Sequence, residues 1–230
     1  YDGTLVGGVA AAPGKSGQGF YFDGSDDQID VVGLAPWTNP SLTFEAWIKP
    51  QADGAIAYVP TGGVYGYPVK LVGGVVRVEY NDFGSEVVMG TYQFTYPSAD
   101  WHHVAVTWSQ GGAGKIYIDG QLDATSASTQ AWFGGNPSTP NVGGGTTSAA
   151  AGDAAFQGWI DEVRYSNYVK TEAEIGQSMN FDSAAAGLPT CSASDCTTLS
   201  DFNLAGGASS DICGERDSSS LGGACSGTVN

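Results

Sequence analysis

The sequence predicts an all-β domain over residues 1–182. Runs rich in Val, Ile, Tyr, Phe and Trp recur between clusters of Gly, Pro, Asn and Asp, as strands recur between turns. Gly73-Gly74 and Asp119-Gly120 each stand between two such runs and are strong hairpin signals. The sequence has no strand–helix–strand spacing, so a parallel sheet is not expected.

The strands can be placed in chain order from their alternation. Residues 19–22 and 28–32 are predicted to pair around the turn at 24–27. Residues 42–49 alternate, which places Leu42, Phe44, Ala46 and Ile48 on one face. Residues 102–108 alternate in the same way, and residues 159–165 are predicted to form the last strand. Trp47, Trp101, Trp108 and Trp159 are interpreted as core residues because they belong to these segments.

One short helix is predicted after the last strand. Thr171 followed by Glu174 forms a capping-box pattern, in which each side chain accepts from a free backbone N–H of the other residue. Ile175 and Met179 lie four positions apart, so both are expected to face inward.

Composition and charge exclude several classes of partner. The chain has 230 residues, with eight Lys and Arg against 24 Asp and Glu, which gives a formal net charge of −16. Nucleic acid and anionic membranes require a basic patch, so neither is an expected partner. The sequence has no apolar run of the ~20 residues that a membrane-spanning helix needs. It begins at Tyr1 without a visible signal peptide and is expected to be a processed or excised piece.

Residues 183–230 have a different composition. This segment contains a single aromatic residue, Phe202, and all four cysteines of the chain, Cys191, Cys196, Cys213 and Cys225. An even number of cysteines in a Ser/Gly-rich segment favours two disulfides and an oxidising, extracellular location, with three pairings open. Zinc binding is the weaker alternative. The segment is predicted to be a disulfide-stapled tail or the start of another module.

Several segments together resemble the LamG-like jelly-roll domains of the concanavalin A-like lectin/glucanase superfamily, which includes laminin-G and pentraxin-like domains. The segments are GTLVGG at 3–8, GQGFYFDGSDDQIDV at 17–31, FEAWIKP at 44–50, WHHVAVTW at 101–108, IYIDG at 116–120 and FQGWIDEVRY at 156–165. The resemblance implies a two-sheet antiparallel jelly-roll sandwich, here with one short C-terminal helix and an irregular Cys-containing tail. It does not imply one function, since this fold hosts lectins, adhesins, enzyme appendages and structural modules.

Catalysis is not predicted. A glycosidase needs two carboxyl groups flanking the scissile bond, and the sequence has no Glu-x-Asp-x-x-Glu pattern. His102 and His103 are adjacent in one strand and point to opposite faces, so they cannot act as a pair. One is expected to pack inward with a satisfied hydrogen bond and the other to be solvated. A degenerate glycoside hydrolase is the weakest alternative.

Acidic residues suggest a calcium site. Asp23, Asp26 and Asp27 cluster in a Gly-containing turn, and calcium is bound by carboxylate and carbonyl oxygens. The family resemblance implies that Asp161 binds a structural calcium together with Asp26 or Gly24. The alternative is that these Asp residues hydrogen-bond their own turns, with Asp161 pairing with Arg164 or capping a loop.

Exposed aromatic residues are candidates for a glycan platform. Sugar binding uses aromatic faces together with polar groups, and Tyr65, Tyr67, Trp132 and Phe133 lie in Gly-, Pro- and Asn-containing segments. The alternative is that these rings cap sheet edges.

The sequence therefore favours a non-catalytic extracellular interaction or structural module, a building block of a surface assembly, adhesin or filament. Its expected partners are other copies of itself or other extracellular proteins. The alternative is a carbohydrate-binding module of a larger secreted protein, with glycans as partners. The tail is expected to dock either on its own sandwich or on a neighbouring subunit.

Overall fold

A computed structural model describes residues 2–32, 41–59, 67–79, 87–109, 111–129, 140–144, 154–180 and 210–212. In the part of the chain so described, no helix is long and apolar enough to span a membrane. The elements in chain order are β1 (Asp2–Val6), β2 (Ala10–Pro13), β3 (Gln18–Asp23), β4 (Gln28–Val32), β5 (Ser41–Pro50), β6 (Gly54–Val59), β7 (Tyr67–Val72), β8 (Val75–Glu79), β9 (Val87–Met89), β10 (His102–Ser109), β11 (Ala113–Ile118), β12 (Gln121–Thr129), β13 (Asn141–Val142), β14 (Gln157–Ser166), α1 (Glu172–Met179) and β15 (Ser210–Ile212).

The strands form two antiparallel sheets, which confirms the predicted jelly-roll sandwich. Sheet 1 has the order β1-β4-β13-β6-β7-β8-β9, and sheet 2 has the order β12-β11-β10-β5-β14-β3-β2. One apolar core lies between them, with Val69 and Val78 from sheet 1 and Phe44 and Val104 from sheet 2 among its members. Both predicted hairpins form, β7–β8 around Gly73-Gly74 and β11–β12 around Asp119-Gly120.

Alternation in β5 and β10 decides which side chains enter this core. Successive side chains of a strand point to opposite faces. Leu42, Phe44, Ala46 and Ile48 of β5 are accordingly buried between the sheets. The intervening residues Thr43, Glu45, Trp47 and Lys49 project from the face of sheet 2 that is turned away from sheet 1, which we call the outer face.

The predicted pairing of β3 with β4 is wrong. β3 pairs with β2 and β14 in sheet 2, whereas β4 pairs with β1 and β13 in sheet 1. Residues 24–27 are therefore a corner that carries the chain from one sheet to the other. A tight turn containing Gly24, whose φ is +85°, serves a corner as well as a hairpin.

Helix α1 begins as predicted and closes part of the outer face. The Thr171 hydroxyl accepts from the Glu174 N–H at 3.2 Å, and the Glu174 carboxylate accepts from the Thr171 N–H at 2.7 Å. Ile175 is fully buried against Ala105 and Tyr117.

Charged side chains are buried between the outer face of sheet 2 and the segment that contains α1. Glu45, which is 0% exposed, accepts from the Lys170 ammonium and the Ser178 hydroxyl. The Glu162 carboxylate accepts from the Arg164 guanidinium in a second buried pair. Because buried charges must be paired, these contacts fix residues 167–180 over the sheet.

Part of the C-terminal segment adds a short strand to sheet 2. β15 pairs antiparallel with β14, placing Ile212 opposite Val163 and Ser210 opposite Tyr165. β3 occupies the same edge of β14 only over residues 157–160. The described part of the tail thus lies on the sandwich of its own chain.

Candidate functional site

Three aromatic rings form a platform on the outer face of sheet 2. Trp159 of β14 lies opposite Tyr21 of β3, and their ring centroids are 4.9 Å apart at an interplanar angle of 55°. Trp47 lies on the neighbouring strand β5, and all three rings are half-buried. We call Tyr21, Trp47 and Trp159 the aromatic platform.

The interpretation of Trp47 and Trp159 as core residues is therefore wrong. Trp108 is core, at 1% exposure, because it shares the inward phase of β10 with Val104 and Val106. Trp47 has the opposite phase from Phe44 and Ile48. The sequence carried this signal, since the alternation of residues 42–49 already assigned Trp47 to the other face. Trp101 lies just before β10 and is half-buried.

Two lysines extend over the platform. The Lys15 ammonium lies 4.6 Å from the ring centroid of Trp47. The Lys49 ammonium lies 5.7 Å from the ring centroid of Trp159, which is its neighbour across the β5–β14 ladder. Both distances are within the range of cation–π attraction.

Asp161 fixes the turn that carries Lys15. Its carboxylate accepts from the Ser16 N–H at 3.0 Å and from the Glu162 N–H at 2.8 Å, and it is 4% exposed. Burial raises the pKa of the Asp161 carboxyl to about 6, while the N–H groups of Ser16, Glu162 and Lys15 act in the opposite direction. Asp161 thus caps a loop, which was one of the roles considered from the sequence.

Acidic side chains converge at the corner between the sheets. One carboxylate oxygen from each of Asp23, Asp26 and Asp27 lies within 4.8 Å of the others. Asp27 Oδ2 accepts from the Asp23 N–H at 2.7 Å. Asp27 is 2% exposed, and its Oδ1 has no hydrogen-bond partner. Burial raises the pKa of Asp27, and the hydrogen bond from the Asp23 N–H lowers it. The negative charges of Asp23 and Asp26 raise the pKa further.

Asp161 is not part of this acidic corner. Asp23 lies opposite Gln157 in the β3–β14 ladder, and Gly24 packs against the Gln157 side chain. Asp161 is four residues further along β14, a separation of about 13 Å along the strand. The structure brings together Asp23, Asp26 and Gly24 of the predicted calcium ligands and places Asp161 elsewhere.

A pocket opens on the outer face of sheet 1. Its volume is ≈ 300 Å³, and its lining includes Asp53, Lys70 and Arg77. Lys70 and Arg77 are cross-strand neighbours in β7 and β8. Asp53 braces the β7–β8 turn by accepting from the N–H groups of Gly73 and Gly74.

The two histidines point to opposite faces of sheet 2, as predicted. His103 is buried next to Trp47, and neither of its ring nitrogens has a hydrogen-bond partner, so the expected satisfied bond is wrong. His102 Nδ1 lies 2.9 Å from the Asp119 carboxylate, and its side chain is 17% exposed. The Glu45 carboxylate lies 3.7 Å from His103 Nε2.

The remaining predicted site residues lie outside the described part of the chain. For Tyr67 only the backbone is described, as the first residue of β7. Nothing is described for the other members of the predicted glycan and disulfide sites, Tyr65, Trp132, Phe133, Cys191, Cys196, Cys213 and Cys225.

Solved structures with the same fold include carbohydrate-binding proteins. Domain 4 of AbnA, a GH43 extracellular arabinanase from Geobacillus stearothermophilus solved with arabinotriose, is 21% identical, with 77% of this chain and 88% of that chain covered and a TM-score of 0.53. A putative carbohydrate-binding protein from Bacteroides ovatus is 20% identical, with 76% and 46% covered and a TM-score of 0.50. At these identities the likeness establishes the fold alone.

Botulinum neurotoxin type C, in a structure concerning its interaction with two ganglioside molecules, is 16% identical at a TM-score of 0.59. The match covers 77% of this chain but only 46% of the toxin chain, so this protein spans less than half of it. No curated protein sequence matches.

The family assignment comes from the sequence itself. The Laminin_G_3 family model matches residues 23–176, which is more than half of the 230 residues. The matched range runs from the acidic corner through β14 into α1 and contains Trp47 and Trp159. This chain belongs to the Laminin_G_3 family of the concanavalin A-like lectin/glucanases superfamily.

Proposed function

We propose that this chain is a non-catalytic glycan-binding module of a secreted or cell-surface protein. The observation that carries the proposal is the aromatic platform, Tyr21, Trp47 and Trp159, on the open part of the outer face of sheet 2. The sequence predicts glycan binding as the alternative function, through Tyr65, Tyr67, Trp132 and Phe133, whereas this proposal rests on Tyr21, Trp47 and Trp159.

The chemistry of a sugar suits such a platform. The C–H face of a pyranose or furanose ring is apolar, while its rim carries hydroxyl groups that need hydrogen-bond partners. Trp and Tyr rings offer large apolar faces, and Lys15 and Lys49 supply donors beside them. All three rings are held by strands, so a sugar would meet a surface that is already formed.

The buried carboxylates support a non-catalytic role. Glu45 and Glu162 are sealed beneath residues 167–180 and held by Lys170 and Arg164. Neither is placed to protonate or attack a glycosidic bond at the surface.

A glycan array followed by titration calorimetry tests the proposal. Wild-type protein is expected to bind at least one oligosaccharide class, and Trp47→Ala and Trp159→Ala should each weaken that binding about tenfold, or about 1.4 kcal/mol. Tyr92→Ala is the matched control, because Tyr92 is a 38% exposed aromatic residue away from the platform. Full binding by both Trp variants would refute the assignment.

We further propose that the acidic corner holds a structural calcium ion. Three carboxylates within 4.8 Å and the unpartnered, buried Asp27 Oδ1 support an oxygen-rich cation site. An ion there would brace sheet 1 against sheet 2. Calcium should raise the melting temperature of the wild type and leave Asp27→Asn unchanged, with Asp100→Asn as the exposed control. An equal calcium effect in all three proteins would contradict the proposal.

Assembly remains the second candidate function, and the β14–β15 pairing favours it. A strand added at a sheet edge can come from the same chain or from another copy. If copies exchange β15, light scattering should detect oligomers of wild-type protein that are lost in Ile212→Pro, since proline removes a donor from the ladder. A monomer at every concentration would exclude this exchange.

A further inference from the structure

The two lysines beside the platform have no acidic partner among the residues that the structure describes. The chain has eight Lys and Arg residues against 24 Asp and Glu. Buried Arg164 and Lys170 are each paired with a carboxylate. Within the described residues, the Lys15 and Lys49 ammonium groups contact aromatic rings and form no ion pair.

Asp161 carries a carboxylate on the same face, but it is bound to the backbone of the turn and forms no ion pair with either lysine. Asp161 is the cross-strand neighbour of Trp47, but its oxygens accept from the N–H groups of Ser16 and Glu162. It is 4% exposed and is covered by the turn that carries Lys15. Its role is to hold that turn, and with it Lys15, over Trp47.

Strand geometry places the two ammonium groups on the same part of the outer face of sheet 2. Trp47 and Lys49 are two residues apart on the same face of β5, about 7 Å along the strand. Lys15 reaches this area from the β2–β3 turn, and Lys49 reaches it from β5. Two cations and the indole rings of Trp47 and Trp159 are therefore clustered within the span of about two sugar residues.

We infer that the platform selects acidic glycans, in which a sugar ring carries a carboxylate. This inference rests on the proposed glycan-binding function and names its ligand class. The apolar face of the sugar lies on the part of the Trp47 or Trp159 ring that the lysines leave uncovered, and the sugar carboxylate accepts from the ammonium group of Lys15 or Lys49. Asp23, two residues from Tyr21 on the same face of β3, places a carboxylate about 7 Å away along the strand, which the ammonium groups of Lys15 and Lys49 must outweigh.

Two pairs of probes that differ only in the acid group test the inference. The first pair is trigalacturonic acid and its methyl ester, and the second is 3′-sialyllactose and the methyl ester of its sialic acid carboxyl group. Titration calorimetry should show at least one acid bound about tenfold more tightly than its neutral counterpart. The pair that shows the preference identifies which type of acidic sugar is recognised.

The double variant Lys15→Gln/Lys49→Gln should lose this preference, so that it binds the acid and the neutral probe of each pair with equal affinity. Lys115→Gln is the control, because Lys115 lies on the same outer face in β11, away from the platform. Equal affinity of the wild type for acid and neutral probes would overturn the inference. So would a preference that survives in the double variant.

The two proposals fail in different ways. Binding of neutral glycans that depends on Trp47 and Trp159 but shows no acid preference leaves the glycan-binding function intact and refutes the acidic ligand. Absence of binding to every array glycan and to all four probes refutes both.

Discussion

The carboxylate of Asp161 accepts a hydrogen bond from the backbone N–H of Ser16 at 3.0 Å, although the two residues are 145 positions apart in the chain. This contact ties the β2–β3 turn to the centre of β14. Gly14 and Gly19 flank the contact, and a Cβ at either position would lie within 3.0 Å of Asp161 atoms. One buried side chain thus determines where a surface turn lies.

Asp161→Ala should destabilise the protein by about 2–3 kcal/mol, because buried N–H groups of the turn lose their acceptor. The unfolding free energy is measured by urea titration. Asp100→Ala, at an exposed position, serves as the control and should change it by less than about 0.5 kcal/mol. Equal urea midpoints for both variants would mean that Asp161 does not brace the turn.

Two glycine substitutions should change the stability of the fold in opposite directions. Gly176 lies within α1, and a Cβ there would meet nothing within 4 Å, so Gly176→Ala should stabilise by about 0.5–1 kcal/mol. A Cβ at Gly14 would lie 2.4 Å from Asp161 Oδ2 and 2.7 Å from the Gly19 nitrogen. Gly14→Ala should therefore lower the melting temperature. Two shifts of the same sign would contradict this packing.

The buried Lys170–Glu45 pair should be strongly coupled. Lys170→Met leaves the Glu45 carboxylate buried without its cation, at a cost of about 3–5 kcal/mol. Glu45→Gln removes that charge, so the double variant should cost less than the sum of the two single variants. Denaturant titration of the four proteins gives the coupling directly, and strict additivity would rule out the pair.

Acid should destabilise the fold partly through His103. Burial, together with the positive charges of Arg164 and Lys170, lowers the pKa of His103 from 6.5 to about 3. At pH values between these two pKa values, His103 binds a proton in the unfolded chain but not in the folded protein. Stability is therefore lost as the pH falls through this window, with a slope of up to about 1.4 kcal/mol per pH unit.

His103→Phe should flatten this pH dependence, because phenylalanine cannot take up the proton. Val104→Ala is the control on the same strand and, because it removes no ionisable group, should lower stability without changing the slope. Urea titrations between pH 7 and pH 4 measure the effect. If the free energy of unfolding depends on pH in the same way for His103→Phe and the wild type, other groups cause the loss of stability in acid.

Local patterns were sufficient to predict both hairpins, the cap of α1 and the strands β3, β4, β5, β10 and β14, whereas β2, β6, β9, β13 and β15 were not predicted. A two-residue period assigns Phe44 and Ile48 to one face because strand side chains alternate, and Thr171 with Glu174 satisfies nearby N–H groups. The same alternation places Trp47 on the outer face, although it belongs to the same strand as Phe44 and Ile48. The position of a residue in the alternation, and not its presence in a strand, decides which face of the sheet its side chain occupies.

Contacts between distant segments could not be predicted. The turn at residues 24–27 has the same local chemistry whether it joins paired strands or crosses between sheets, so its role as a corner depends on the partners of β3 and β4. The separation of Asp161 from the acidic corner depends on the β3–β14 register. Nothing in the sequence pairs Lys170 with Glu45 across 125 positions.

The division of one sheet face into two halves has an evolutionary consequence. Residues 167–180 seal the half above Glu45, where any change disturbs paired charges, whereas the half bearing Trp47 and Trp159 lies outside that seal. Apart from Asp161, which holds the β2–β3 turn, side chains on the open half can be exchanged at less expense to the scaffold than those beneath the seal. Related domains are thus free to diversify in what they recognise while inheriting an unchanged framework.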